Sequence, residues 1–158
     1  MNADIDGGAR ILGVAAGFDW TWSETDLELF SALVGWDAQI RPGSGATLVT
    51  HLDVQKPYAY AEIGDYVKYI SIRFTDVVDA SDVEHRSALA AYFGEMCDRA
   101  TSALGAPTRV SPGSIPTVRW WMAKVLVEIA GFSSGTCIRL VNPEYQRWVD
   151  SLDDSEAM

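Results

Sequence analysis

The sequence predicts an α+β fold, with an antiparallel sheet of about six to seven strands covered by one long central helix and by N- and C-terminal helices. Three stretches carry apolar residues at the spacing of a helix. Between them, alternating runs have connections too short for the crossovers that parallel strands need. The chain has 158 residues, 48% of them hydrophobic. We therefore expect a single domain over 1–158 with frayed ends at 1–8 and 153–158.

Two helices are predicted before the first strand. A short one covers 9–16 and closes at Gly17. The second begins after Ser23, whose side chain suits an N-cap, and ends at Gly35. Its apolar stripe consists of Leu27, Phe30, Leu33 and Val34. We expect this stripe to face the core.

Seven strands are predicted in two groups. They cover 37–40, 47–52, 58–63 and 66–74, and then 118–121, 123–129 and 136–141. Gly64 and Asp65 separate two runs as the two-residue signal of a hairpin. Residues 41–45 join the first two strands. Their glycines therefore belong to a hairpin loop, because a phosphate-binding loop lies between a strand and a helix.

The long central helix is predicted over 82–104. Ser81 and Glu84 have the spacing of a capping box at its start. Its apolar stripe consists of Leu89, Phe93, Met96, Cys97, Ala100 and Leu104. A final helix opens at Asn142 as cap and Pro143 as first helical residue.

Charge is distributed unevenly along the chain. The net charge of −10 disfavours nucleic acid and anionic membrane surfaces as partners, and no apolar run is long enough for a membrane-spanning helix. Residues 1–40 hold seven acids and one base, and 144–158 hold five acids and one base. The acidic ends either keep the chain in solution or form an acidic binding face. The solitary cysteines Cys97 and Cys137 and the acidic N-terminus favour a cytoplasmic location.

The sequence contains no recognisable catalytic motif. His51 lies two residues before Asp53 in a predicted strand, where the two could share a face, but no nucleophile motif accompanies them. Cys97 and Cys137 are too far apart in sequence for a zinc motif. We therefore predict no catalytic residue, no metal and no cofactor, and a protein that is not an enzyme.

The pattern that most strongly suggests a binding function is tryptophan beside acids, in the segment around Trp20 and Trp22. The segment that precedes the second helix places two tryptophans among carboxylates, a combination suited to anchoring on a basic protein partner. The predicted partner-binding residues are Asp19, Trp20, Trp22, Glu24, Asp26, Glu28 and Trp121. The alternative is that Trp20 and Trp22 pack beneath the helix start.

Several short motifs resemble a family of small uncharacterised bacterial proteins, a domain of unknown function. The motifs are Trp20-Thr-Trp-Ser23 with Asp26, Gly35-Trp36, Gly45-Ala-Thr47, Leu104-Gly-x-Pro107-Thr and Val118-Arg-Trp120. The resemblance runs from about 18 to 150. In size, acidity and α+β composition the chain is also similar to the immunity proteins of polymorphic toxin systems.

Three functions follow from these observations. The leading hypothesis is an immunity or antitoxin-type protein that occludes a partner, such as a basic toxin domain, through an acidic and aromatic surface. The second is a secretion-chaperone-like dimer that holds an effector segment. The third is a hydrolase that uses His51. Whether the chain is a monomer or a homodimer is left open by its sequence.

Overall fold

The fold is α+β, as the sequence predicts. A computed structural model describes residues 1–41 and 44–156, with side chains up to Asp153. In this part of the chain, four helices accompany one antiparallel sheet of eight strands. The helices are α1 (Ile5–Gly17), α2 (Glu24–Val34), α3 (Val83–Leu104) and α4 (Pro143–Glu156). The strands are β1 (Asp37–Arg41), β2 (Gly45–Val49), β3 (Tyr58–Ile63), β4 (Val67–Arg73), β5 (Arg109–Ser111), β6 (Thr117–Trp121), β7 (Leu126–Phe132) and β8 (Gly135–Val141).

Two four-stranded meanders join to make the sheet. The strand order is β1-β2-β3-β4-β8-β7-β6-β5, so the two meanders meet where β4 pairs with β8. There Ile70 lies opposite Leu140, and Ile72 lies opposite Ile138. The chain leaves β4 at the middle of the sheet and re-enters at the far edge. The 22-residue helix α3 spans this connection.

The two faces of the sheet differ in what covers them. The core face packs against α1, α2 and α3, and its buried side chains include Leu48, Ala61, Ile70, Ile72, Val127, Ile129, Ile138 and Leu140. Burial of each large apolar side chain there contributes about 1.5–3 kcal/mol. The outer face is the opposite one. It carries α4 at one end, where the rings of Tyr145 and Tyr69 lie 6.2 Å apart.

Helix α1 approaches the sheet and α3 closely at Gly8. A Cβ at this position would lie 2.5 Å from Met96 Cε and 3.2 Å from Ile138 Cδ1. Both neighbours are fully buried, so they have little space to move. The missing side chain of Gly8 therefore sets how closely α1 packs. Gly13, in the same helix, has no atom within 4 Å of such a Cβ.

The structure corrects several predicted boundaries near the N-terminus. Ile5–Gly8 belong to α1, and Asp4 Oδ1 caps this helix by accepting from Gly7 N at 2.8 Å. Ala3 forms a bridge with Thr75, so the described start of the chain is tied to the sheet. The segment predicted to fray is therefore paired with the body of the fold in the structure.

Two strand predictions also need correction. The eighth strand, β5, lies between the predicted helix 82–104 and the predicted strand 118–121, where the sequence predicts no strand, and it exists through pairing with β6. The predicted strand 47–52 ends at Val49 in the structure. In the predicted loop 41–45, residues 42 and 43 lie outside the described residues.

The predicted N-cap of α4 is confirmed, whereas the predicted capping bonds of α3 and α2 are corrected. Asn142 Oδ1 accepts from Glu144 N at 3.1 Å, as expected for the N-cap of α4. Helix α3 is capped by Asp82, whose Oδ1 accepts from Glu84 N at 2.9 Å, rather than by Ser81. Ser23 stands at the N-cap of α2 but makes no side-chain capping bond. Leu33 is 63% exposed, so it does not belong to the buried stripe of that helix.

Candidate functional site

Trp20 and Trp22 are core residues. They are 4% and 5% exposed, and their rings stack with centroids 4.5 Å apart. Phe30 of α2 lies 5.0 Å from the Trp20 ring. The Trp20 indole N–H donates to Ala15 O, and that of Trp22 donates to Lys124 O, both at 2.9 Å. The stacked pair therefore ties the start of α2 to α1 and to the β6–β7 connection.

Asp26 is buried beneath the same turn. It is 5% exposed, and its carboxylate accepts from Thr21 N at 2.6 Å, Thr21 Oγ1 at 3.0 Å and Trp22 N at 2.7 Å. These bonds hold Trp22 at φ 62°, in the left-handed region. The predicted partner surface is thus corrected at Trp20, Trp22 and Asp26. Their side chains serve the fold, because the turn directs them inward.

The other acids of this segment lie at the surface of α2. Glu28 is exposed and Glu24 is half-buried. Leu29 and Leu33 are 55% and 63% exposed and lie one helical turn apart. We call these four residues, Glu24, Glu28, Leu29 and Leu33, the α2 surface. Asp19 lies nearby in the chain, is exposed and is ion-paired with Lys124.

Trp121 lies on the other side of the sheet. It is half-buried, pairs with Leu126 of β7 and projects from the outer face. The α2 surface lies on the core-face side, because Leu27, Phe30 and Val34 of α2 belong to the core. Trp121 therefore cannot form one patch with Glu24 and Glu28.

The two acidic ends of the chain also lie on opposite sides of the sheet. Helices α1 and α2 cover the core face, whereas α4 packs against the outer face through Tyr145. As far as the side chains are described, the structure therefore places the acids of α1 and α2 and those of α4 on different sides of the sheet.

The outer face is rich in arginine, and none of its arginines is among the partner-binding residues predicted from the sequence. Residues paired directly across antiparallel strands project to the same face. One such row crosses all eight strands: Gln39, Thr47, Tyr60, Ser71, Arg139, Glu128, Arg119 and Arg109. With the residues two positions away, the strands bring to this face the bases Arg41, Arg73, Arg109, Arg119 and Arg139 and the acids Asp37, Glu62 and Glu128. In a chain of net charge −10, the strands thus contribute five bases and three acids to this face of the sheet.

Glu128 binds two of the arginines on this face. It is 3% exposed, and its two carboxylate oxygens accept from Arg119 Nε at 2.7 Å and from Arg139 Nη1 at 3.2 Å. The Arg139 guanidinium also lies over the Tyr69 ring at 4.6 Å. A buried carboxylate shared by two arginines fixes β6, β7 and β8 relative to each other.

His51 does not pair with Asp53. It follows the end of β2 at φ 59°, and its Nε2 lies 2.6 Å from Asp37 Oδ2 on β1. Both side chains are largely exposed. Because its φ is positive, His51 does not have the strand geometry that the sequence predicts. Asp53 makes a different contact: its backbone N–H donates to Asp4 Oδ2 at 2.9 Å. The arrangement resembles a surface ion pair more than a shielded catalytic dyad.

Neither cysteine is in the electrostatic environment of a nucleophile. Burial, and then the charge of Asp98, raise the pKa of the Cys97 thiol to about 11. Burial also raises the pKa of the Cys137 thiol against smaller opposing effects of Arg73 and Ser71. Raised pKa values keep both groups as thiols near neutral pH, which makes them poor nucleophiles and poor metal ligands.

Within the described ranges, no group of three or more histidine, cysteine or acidic side chains is placed to hold a metal ion. No helix there is long and apolar enough to cross a bilayer.

Comparison with known proteins identifies the family of the chain. A model described as "Family of unknown function (DUF6301)" matches residues 6–142. No curated protein and no solved structure matches the chain significantly.

Proposed function

Since the chain belongs to the DUF6301 family, whose function is unknown, we propose a function on the basis of its surface. The proposed function is that of a protein-binding module of the immunity type. In this role it binds a basic toxin domain of a partner and occludes it. The proposed contact is the α2 surface. It includes Glu24 and Glu28, two of the partner-binding residues predicted from the sequence.

The exposure of Leu29 and Leu33 beside carboxylates is the observation that carries this proposal. Both are more than half exposed and lie one turn apart on α2, and Glu28 is exposed on the same solvent-facing half of this helix. Exposed apolar side chains rimmed by charge are typical of protein-binding surfaces. The carboxylates select a basic partner and accelerate its approach, while the leucines supply apolar area to bury.

Coexpression with the products of neighbouring genes tests the proposal. We expect the chain to protect a host against one of them and to copurify with it. The double variant Glu28→Lys with Leu33→Lys should lose protection and at least about 100-fold in affinity, since it reverses a charge and removes an apolar contact. The matched control is Glu95→Lys with Val83→Lys, which alters an exposed acid and an exposed apolar residue on α3.

Two results would reject the proposal. Failure to bind or protect against any neighbouring product rejects the immunity function. Equal protection by the α2 variant and the α3 control rejects the α2 surface as the contact.

A secretion-chaperone-like dimer is the second candidate, favoured by the exposure of Tyr58 and Tyr60 on the outer face. An open sheet face suits an extended segment of a client protein. Mass measurement distinguishes the two functions. A tight homodimer with one extended client favours the chaperone, whereas a monomer bound to a folded domain favours the immunity protein.

A further inference from the structure

A trough crosses the outer face obliquely, from β1 to the β7–β8 turn. It consists of three depressions of about 260, 250 and 380 Å³. The first and second share Thr47 and Tyr60. The second and third share Ser71, Arg73 and Cys137. Because neighbouring depressions share lining residues, the three lie next to one another in a row, and this row matches the shape of an elongated ligand.

Two arginines in the trough are available to an anion. Arg41 lines the β1 end, and Arg73 lines both of the other depressions. Among the residues that the structure describes, neither guanidinium has a carboxylate within 4.0 Å. Arg119 and Arg139, on the same face, share Glu128 instead.

Tyrosines line the middle of the trough. Tyr58 and Tyr60 are 50% and 44% exposed. The Tyr60 hydroxyl donates to Glu62 Oε2 at 2.7 Å, and this hydrogen bond, followed by burial, raises the pKa of Tyr60. Like an ordinary tyrosine, Tyr60 is neutral at physiological pH, and the raised pKa strengthens this preference. Tyrosine and arginine together are the side chains that most often dominate binding energy at protein interfaces.

We propose that this trough binds an extended acidic segment of a partner protein, with one carboxylate at Arg41 and a second at Arg73. Arg73 lies three strands away from Arg41 across the sheet and four residues away along the strand direction. These offsets correspond to about 19 Å between the two Cα atoms. About six residues of extended chain span that distance.

A short acidic segment fits better than a long polyanion. Two free arginines are enough for two carboxylates, whereas a nucleic acid carries many more negative charges than they can neutralise, and the total charge of −10 repels all of the others. The trough lies across the sheet from the α2 surface. The inference therefore goes beyond the proposed immunity function and does not rest on it.

Peptide titration of the ¹⁵N-labelled full chain, followed by NMR, tests the inference. The probe is a capped heptapeptide, Glu-Thr-Val-Ser-Val-Thr-Glu, whose acids are six residues apart. We expect shifts concentrated at the amides of Thr47, Tyr60, Ser71 and Cys137. Arg41→Glu and Arg73→Glu should each weaken binding at least about tenfold, because each removes a charge-assisted hydrogen bond.

Two controls distinguish binding in the trough from non-specific attraction between charges. Arg109→Glu reverses a charge on the same face but outside the trough, and it should leave the affinity within about twofold. The peptide with glutamine at both ends should bind at least about tenfold more weakly. Arg41 is exposed on an edge strand, so its variant tests the idea even if Arg73→Glu unfolds.

Three outcomes would overturn the inference: no shifts in the trough at millimolar peptide, equal binding of the glutamine peptide, or equal weakening by Arg109→Glu and Arg41→Glu.

Discussion

At the scale of single residues, Asp26 determines the conformation of the turn before α2. A left-handed conformation costs a non-glycine residue about 1–2 kcal/mol, and Trp22 adopts it at φ 62°. The three hydrogen bonds to the Asp26 carboxylate offset this cost and also satisfy a buried charge. Asp26 therefore stabilises the fold, although it stands in a segment, 19–28, that has four acids and no base.

Replacing Asp26 should destabilise the protein strongly. We expect Asp26→Ala to lower the free energy of unfolding by about 2–4 kcal/mol, because it leaves buried backbone N–H groups without an acceptor. Urea denaturation followed by circular dichroism measures the change. Glu28→Ala, two positions on and exposed, is the control and should stay within about 0.5 kcal/mol. Similar losses in the two variants would contradict the structural role of Asp26.

The sequence identified the segment 19–28 as distinctive but could not orient its side chains. Tryptophan gives no local signal for a positive φ, and the partner of the Trp22 indole, Lys124, is 102 residues away. Long-range contacts of this kind decide whether an indole is an anchor or a core residue. The alternation of arginines along the strands was visible in the sequence, but their convergence on one face requires the strand order.

At the scale of elements, periodicity predicted the helices and most strands because each buries one face. Helix α3 and the cap of α4 follow from spacing and capping residues. Strand β5 could not be predicted, since its three residues are extended only through pairing with β6. The α3 cap was misplaced by one residue because both Ser81 and Asp82 are good N-caps.

Two glycines of α1 should respond in opposite ways to a side chain. We expect Gly8→Val to lower the free energy of unfolding by about 1–3 kcal/mol, because its side chain would overlap Met96 and Ile138. Gly13→Ala should raise it by about 0.5–1 kcal/mol, because it reduces the freedom of the unfolded chain and meets no atom. Thermal unfolding of the two variants measures both changes. A stabilising Gly8→Val would show that α1 can move away from α3.

At the scale of the whole molecule, the strands concentrate arginine on one face of the sheet. Five arginines lie on the outer face, beside the acidic helix α4, whereas the acidic helices α1 and α2 lie on the core-face side. A total charge of −10 could not reveal this arrangement, because alternate residues of each strand face opposite ways. The two proposed binding surfaces therefore differ in sign and lie apart.

The whole chain should nevertheless unfold as one unit. The core joins α1, α2 and α3 to strands of both meanders, and β4 pairs with β8 where the meanders meet. We expect one cooperative transition in urea, with the same midpoint from far-UV circular dichroism and from upfield methyl NMR signals. Separate midpoints would indicate that the two meanders form independent units.

The stacked indoles of Trp20 and Trp22 also have an optical consequence. Rings 4.5 Å apart exchange excitation energy readily, and their shielding from water shifts their emission to shorter wavelengths. Because the pair lies directly under the start of α2, a partner that moves this helix should change the intrinsic fluorescence of the chain. The core residues that were unsuitable as anchors thus provide a label-free signal for binding at the surface above them.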